Sequence, residues 1–487
     1  MTGPAPLLAE HTRQQAVFER LRSGILNGTL PPGIRLPPTR SLAEELGVAR
    51  QTVVLAYERL AAEGYVRSRV GSGTYVAPDL PDARPSPAAP PAGGSSRLSR
   101  RGTEIAATPV NAVAGLSRQA PGLLTPGIPA PELFPARAWA QSAARVLRAA
   151  RPFEGGYPDG QGLPALRAQI AQHLAATRGL LADAGQIVVT SGTQQAIRIA
   201  AELLLDPGDL AWVEEPGYIA GRGAVLAAGA RIVPVPSGAE GMEVQEGIRR
   251  APDARLVLTA PSHATPLGGA LPVGQRLALL DWAAKADAWV LEDDCDSEFR
   301  WAGKPLPPLA TLDRAGRVIY CGTFSKTLAP GIRLGFAVMP TALTQAFIRA
   351  RALMDRGPNT MLQEILAEFM RQGRLAPHIR RMRTEYARRR AAVLAALAAH
   401  CPSVRPVDAP GGLHLALHLP ANADEAAVVR GARARSLTVA PLGSYYIKEP
   451  APGPGLVIGF ANTPVALAAD AARRLNAALQ EGSPAGS

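Results

Sequence analysis

Six short apolar runs are spaced through the long C-terminal part of the chain with helical stretches between them. They are IVVT (187–190), AWVEE (211–215), RLVLTA (255–260), AWVLEDD (288–294), RVIYCG (317–322) and GFAVM (335–339). A chain that alternates in this way buries each run in a mostly parallel sheet covered by helices, which predicts an α/β core. In such sheets ligands bind beyond the carboxyl ends of the strands, so the polar residues just after each run are the candidate chemistry. From about residue 340 the pattern is mainly helical, including HIRRMRTEYARRR at 378–390. It returns to a shorter strand near GGLHLALHL (411–419), which predicts a smaller α+β subdomain.

A second constraint lies at 79–101, DLPDARPSPAAPPAGGSSRLSRR, where proline, glycine and serine leave almost nothing to bury. This reads as a linker that continues to about 115. It separates an N-terminal domain at 10–78 from a C-terminal domain at 116–480. In the first domain Val17, Leu21 and Ile25 form one helical stripe. Thr39 is expected to cap a second helix, with Leu42, Ala43 and Leu46 on one face and Gly47 at its end. Val53, Tyr57 and Leu60 form a third stripe ended by Gly64, and YVRSRVGSGTYV reads as two short strands around a Gly-Ser-Gly turn. Three helices and a hairpin predict an α+β winged helix-turn-helix.

The totals exclude some classes and leave others open. No apolar run reaches the roughly 18–20 residues of a membrane span. The start, MTGPAPLLAEHTRQQ, has no basic segment followed by an apolar one, which predicts no signal peptide. Three cysteines (Cys295, Cys321, Cys401) argue against a disulfide framework and for a reducing, cytoplasmic setting; no Cys/His cluster has metal-ligand spacing, so no metal is expected. Net charge is +12, which suits an anionic partner such as nucleic acid. Residues 1–80 hold nine arginines against seven acidic residues, so charge alone does not mark a DNA-binding domain.

Three strand ends carry the chemistry. Ser191-Gly192-Thr193-Gln194 follows IVVT and opens a helix, as either an ordinary cap or a phosphate site. Glu292-Asp293-Asp294-Cys295-Asp296 closes AWVL, as either a polar site or a solvated acidic turn. Thr323-Phe324-Ser325-Lys326 follows RVIYCG, with Arg333 beyond it. The chain has only four lysines among 52 basic residues. A lysine amine condenses with an aldehyde and a guanidinium cannot replace it, although a surface lysine is the plain alternative. Lysine, aspartate and phosphate donors together are what pyridoxal 5′-phosphate (PLP) requires.

At these motifs the chain resembles a known family. GTFSKTLAPGIRLGF (322–336) is similar to the Schiff-base lysine segment of fold-type I aminotransferases. ILNGTLPPGIRLPPTRSLAEELGVARQTVVLAYERLAAEGYVRSRVGSGTYV resembles the GntR-type winged helix-turn-helix. Joined by a Pro-rich linker, the two are similar to the MocR/GabR family of PLP-dependent transcriptional regulators. The resemblance implies that Lys326 carries PLP as a Schiff base and Asp293 pairs with the pyridine nitrogen. It places Ser191, Gly192, Thr193, Thr323, Ser325 and Arg333 at the phosphate, Tyr218 against the ring, and Thr265 and Cys295 at O3′. It puts Arg40, Arg50, Gln51 and Thr52 at a double-stranded DNA operator, with Arg67, Arg69, Val70 and Gly71 in the wing. It further implies a head-to-tail, domain-swapped homodimer and a small-molecule effector, an amine, an amino acid or PLP itself.

Four residues depart from the pattern. Cys295 stands where the family has tyrosine, and Thr265 where aminotransferases have asparagine. Ala49 replaces the serine that caps the recognition helix. Val457, in GLVIGFA, occupies the position of the arginine that grips a substrate carboxylate; Arg222 is a candidate substitute. The alternative of an active aminotransferase with an appended DNA-binding head is weakened by Val457 and sustained by the Lys326–Asp293 pair.

Overall fold

The computed structural model describes residues 6–69, 71–80, 98–108, 122–149, 159–303, 306–448 and 450–482. The chain divides into two compact units, Met1–Arg97 and Leu98–Ser487.

The first unit holds α1 (Pro6–Leu26), α2 (Thr39–Leu46), α3 (Arg50–Ala62) and an antiparallel hairpin of β1 (Val66–Arg69) and β2 (Gly73–Val76). The three apolar stripes meet in one core: Val17, Leu21, Ile25, Leu42, Val53, Tyr57 and Leu60 are all buried. The Tyr57 hydroxyl donates to the Pro37 carbonyl at 2.8 Å, so the ring's polar end is satisfied. Gly47 ends α2 in the left-handed conformation, φ 62°. Both recognition-region helices lack a side-chain cap, α2 against expectation and α3 as Ala49 implies. Thr39 is the first helical residue and Pro38 holds the cap position with no side-chain bond. Ala49 caps α3, and its methyl leaves the first-turn N–H groups without a side-chain acceptor. Arg35 bridges to Tyr75 on the edge of β2 away from β1, adding a third short segment beside the hairpin.

The second unit begins with α4 (Arg100–Ala107), inside the segment read as linker. Ser99 caps it by accepting from the Gly102 N–H at 2.9 Å, and Arg101 donates to the Ala227 carbonyl at 3.1 Å. No residue of this helix is buried, which is why its composition resembles a linker. Helices α5 (Ala136–Arg148) and α6 (Pro164–Arg178) lead into the main sheet.

That sheet holds β3 (Ile187–Thr190), β4 (Leu210–Glu215), β5 (Arg231–Gly238), β6 (Gly241–Met242), β7 (Leu256–Thr259), β8 (Trp289–Asp294), β9 (Val318–Thr323) and β10 (Gly335–Val338). Their spatial order is β3-β10-β9-β8-β7-β4-β5-β6. The strands from β9 through β5 run parallel, while β10 opposes both of its neighbours. Strands β3, β7 and β10 are buried along their whole length, as continuous apolar runs predict. Strand β5 is absent from the six runs because Pro234 and Pro236 interrupt it. Their carbonyls face away from β4, accepting from Arg250 and from the Glu243 N–H, so the missing N–H groups lie outside the main ladder. Helices α7 (Thr193–Leu204) and α8 (Ile219–Ala227) follow β3 and β4.

A smaller antiparallel sheet is formed by β11 (Arg405–Pro406), β12 (His414–His418), β13 (Ala440–Pro441) and β14 (Gly455–Gly459), in the order β11-β12-β14-β13. It shares a core with the helix Leu375–His400, whose arginine-rich stretch buries Tyr386 and Arg389. This is the predicted smaller subdomain.

Where β10 enters the sheet three glycines meet. A Cβ on Gly335 would lie 2.7 Å from the Gly192 Cα and 2.8 Å from the Gly322 carbonyl oxygen. Gly335→Ala should therefore destabilise the protein by about 1–3 kcal/mol. Gly331→Ala, with open space around its Cβ, should stay within about 0.5 kcal/mol of wild type. Denaturant unfolding of the two variants checks this, and equal stabilities would refute the crowding.

Candidate functional site

The strand ends converge on one cavity of about 320 Å³. After β3 the chain turns at Gly192, φ 125°, and enters α7. The start of a helix carries N–H groups with no intrahelical acceptor and a partial positive charge. Arg333 sits opposite: a Cβ on Gly192 would be 3.8 Å and 4.0 Å from its two terminal nitrogens. Arg333 itself has φ 52°, a left-handed residue that turns the chain from the short helix Pro330–Ile332 into β10. After β9, the Thr323 hydroxyl accepts from the Ser325 N–H at 3.1 Å and lies 3.0 Å from the Ser325 hydroxyl. Helix start, hydroxyls and guanidinium together form an anion cradle.

Asp293, near the end of β8, is buried, and its Oδ1 has no hydrogen-bond partner. Burial, with the nearby Asp296, Asp294 and Glu214, pushes its pKa up to about 7, against the pull of Lys326. A buried carboxylate without a partner, lining a cavity, is a site for a cationic hydrogen-bond donor. The Lys326 amine reaches the same cavity and donates to the Gly127 carbonyl at 2.5 Å. A ring nitrogen for Asp293, an aldehyde for Lys326 and a phosphate for the cradle are the three demands of PLP, and these residues fit it.

Of the residues singled out in the sequence, Gly192, Thr193, Tyr218, Thr265 and Asp293 line this cavity, as do Cys295, Thr323, Ser325, Lys326 and Arg333. Ser191 does not; its N–H donates to the Gln195 side chain at 2.8 Å. Burial and the field of Asp293 push the Cys295 thiol well up, so it is a protonated donor and not a reactive thiolate. Val457, from β14, lines the cavity. Arg222 does not reach it; its guanidinium donates to the Tyr446 carbonyl at 3.2 Å.

Sequence reading missed Ile128, Tyr445, Asp296 and His414, which also line the cavity. The first two carried no signal of spacing or chemistry. Asp296 closes the acidic motif but was given no role, and His414 lies in a strand pattern. Asp296 faces His263 at 3.2 Å, and His263, Asp296 and His414 offer ligand-type atoms within 4.8 Å of one another. Gly412, φ 79°, makes this possible, since a Cβ there would lie 1.9 Å from the His263 ring. Beneath the site Asp294 accepts from Arg178 at 2.7 Å and from the Tyr320 hydroxyl at 2.6 Å.

On the first unit Arg40, Arg50, Gln51, Arg67, Arg69 and Gly71 are exposed. Their ion pairs are loose, Arg40–Glu44 at 3.6 Å and Arg67–Asp79 at 3.9 Å, so these guanidiniums can turn to another anion. Thr52 is only 7% exposed and faces the core of the unit, so it offers DNA less surface than these neighbours. Val70 lies outside the described residues. Arg35, exposed beside the hairpin, is a basic residue that the sequence reading left out.

Residues 128–468 match the aminotransferase class I and II family, and residues 13–76 match the bacterial regulatory proteins of the gntR family. The chain is 38% identical over 456 residues to the probable rhizopine catabolism regulatory protein MocR of Rhizobium meliloti, covering 93% of this chain and 91% of that protein. It is 34% identical over 445 residues to the pyridoxine biosynthesis transcriptional regulator PdxR of Corynebacterium glutamicum, covering 91% and 90%. Among solved structures it is similar to LysN, the alpha-aminoadipate aminotransferase of Thermus thermophilus complexed with N-(5′-phosphopyridoxyl)-L-leucine. The TM-score is 0.71 at 28% identity, with 79% of this chain and 97% of that one covered. The chain belongs to the MocR/GabR family of transcriptional regulators, a GntR-type DNA-binding domain joined to an aminotransferase-like domain whose cofactor is PLP.

Burial also pushes Glu214 and Glu292 up to about 7. With Asp293, these groups bind more protons folded than unfolded between the ordinary carboxylate range and pH 7. The stability they contribute is full below about pH 4 and is lost as pH rises through about 7. The melting temperature of the cofactor-free protein should fall between about pH 5 and pH 8, and Asp293→Asn should make that fall shallower. A slope unchanged in the variant would contradict the titration assigned to Asp293.

Proposed function

We propose that the aminotransferase-like domain of this regulator is a sensor: it holds PLP through Lys326 and passes effector binding to the DNA-binding domain. The observation that carries this reading is Val457. The cavity keeps the lysine and aspartate that hold the cofactor, yet among the described residues its side-chain cations are Lys326 and Arg333. Both are engaged in holding the cofactor, and a valine cannot pair bidentately with a substrate carboxylate. When bound, PLP supplies an aldehyde that condenses with amines and a ring that withdraws electrons. Lys326 anchors it, and Asp293 holds the proton on the ring nitrogen. Arg333, Thr193, Thr323 and Ser325 hold the phosphate. Tyr218 covers the ring, and Thr265 and Cys295 stand at O3′.

In this reading the protein works in the cytoplasm as a homodimer, in which Arg50 and Gln51 meet the operator and the hairpin meets its backbone. Paired half-sites suit a dimer. In this reading the Pro-rich segment ahead of α4 lets each head reach its partner's large domain. An effector shifts the dimer between DNA-binding states only through unequal affinity for them. The retained Lys326–Asp293 pair favours one second reading, residual transamination.

Visible absorption of the purified protein during addition of amines and amino acids separates the two. A shifted spectrum without keto-acid release is the result expected of a sensor. Keto acid and a pyridoxamine product would promote the enzyme reading. Lys326→Ala should hold no cofactor covalently after borohydride; retained label would remove Lys326 from its role. Arg50→Ala should weaken operator binding by about 1–3 kcal/mol, read by gel shift at fixed salt, and unchanged affinity would exclude Arg50 from the interface.

A further inference from the structure

The cavity wall that lacks an arginine carries other chemistry. Asp296 and His414 both line it, and both side chains are buried. His414 comes from β12, the strand paired with β14, whose Val457 stands on the same wall. Its Nε2 lies 3.1 Å from the Pro266 carbonyl oxygen. A carbonyl only accepts, so Nε2 bears the proton and Nδ1 is left as an acceptor. Burial and the neighbouring His263 push the His414 pKa down to about 4, which keeps the ring neutral. Asp296 is held below the usual carboxylate range: burial opposes this, but the adjacent His263 overrides it.

We propose that this wall is an effector subsite for a primary amine that carries a second hydrogen-bond donor, ammonium or hydroxyl, and no carboxylate, with Asp296 and His414 as the acceptors. The proposal rests on the sensor reading above, which sets an amine at the cofactor end of the ligand. The far end then meets a carboxylate and an unprotonated imidazole nitrogen. His263, at 3.2 Å, occupies one position on Asp296 but in poor hydrogen-bond geometry, so the carboxylate keeps acceptor capacity for a ligand. Neither acceptor welcomes a ligand carboxylate, which would bring a second negative charge beside Asp296, whose paired His263 already serves the first. The wall is also preformed. His263 is seated against Gly412, where no side chain fits, and His414 is tethered to the Pro266 carbonyl.

The test uses the full-length protein loaded with PLP and four ligands that share one four-carbon chain: putrescine, its amino-alcohol analogue, γ-aminobutyrate and butylamine. Dissociation constants are read from the visible spectrum and from calorimetry. The expected result is that putrescine or the amino alcohol binds about ten-fold or more tighter than γ-aminobutyrate, with butylamine between. Asp296→Asn should compress that spread to about two-fold. Equal or tighter binding of γ-aminobutyrate to the wild type overturns the proposal, and so does an unchanged ranking in Asp296→Asn. Should that variant fail to fold, the wild-type ranking decides alone. If no amine alters the spectrum of protein whose cofactor borohydride still fixes to Lys326, amine sensing itself falls, and the subsite with it. A preference for the carboxylate ligand overturns the subsite only.

Discussion

Strand β10 runs against both of its neighbours, and at Gly335 the backbones of Gly192 and Gly322 approach so closely that no side chain fits there. This close contact sets the site. Because β10 is reversed, its first residues lie at the same edge of the sheet as the last residues of β3 and β9. Arg333, just before β10, is thereby brought opposite the start of α7 and beside Thr323 and Ser325. A parallel β10 would send Arg333 to the far edge and divide the anion cradle. The left-handed conformation of Arg333 belongs to the same constraint, since the chain must reverse there within a few residues.

The second constraint is electrostatic. Glu214, Glu292, Asp293, Asp294 and Asp296 all collect at the carboxyl ends of neighbouring strands, and all are buried. Four have protein partners: Glu214 accepts from Thr259, Glu292 from two backbone N–H groups, Asp294 from Arg178 and Tyr320, and Asp296 faces His263. Asp293 alone of the five has an oxygen turned to the cavity with neither a protein partner nor an adjacent cation of its own. Its charge is costly until a protonated ring nitrogen meets it, which links cofactor binding to the stability of the strand ends.

Much of this was legible in residue order. All six apolar runs became strands, because continuous burial on both faces demands continuous apolar sequence. Lys326 and the Ser-Gly-Thr turn were readable because each follows closely on a strand, Asp293 because it closes one, and Arg333 because it belongs to the lysine segment that resembles a known motif. What was not legible has local causes. Thr52, at the start of α3, is buried on the side of the helix that carries Val53, Ala56 and Tyr57. Ser191 adjoins the cradle, and the Gln195 side chain takes its N–H. Strand β5 was hidden by two prolines that an outward-facing edge tolerates, and α4 by having no buried face.

The sequence alone determined the class of fold, the two-domain order, the cofactor chemistry and the loss of the carboxylate-gripping arginine. The first two depend on periodicity and on residues adjacent in the chain, the others on the resemblance of the strand-end motifs to a known family. Tertiary structure decided which distant side chains share a wall. It brought His263, Asp296 and His414 together, excluded Arg222 and placed Val457 beside them. Those relations depend on strand order and on the approach of the smaller sheet to the larger. Neither is encoded in local spacing, because both follow from how whole layers pack.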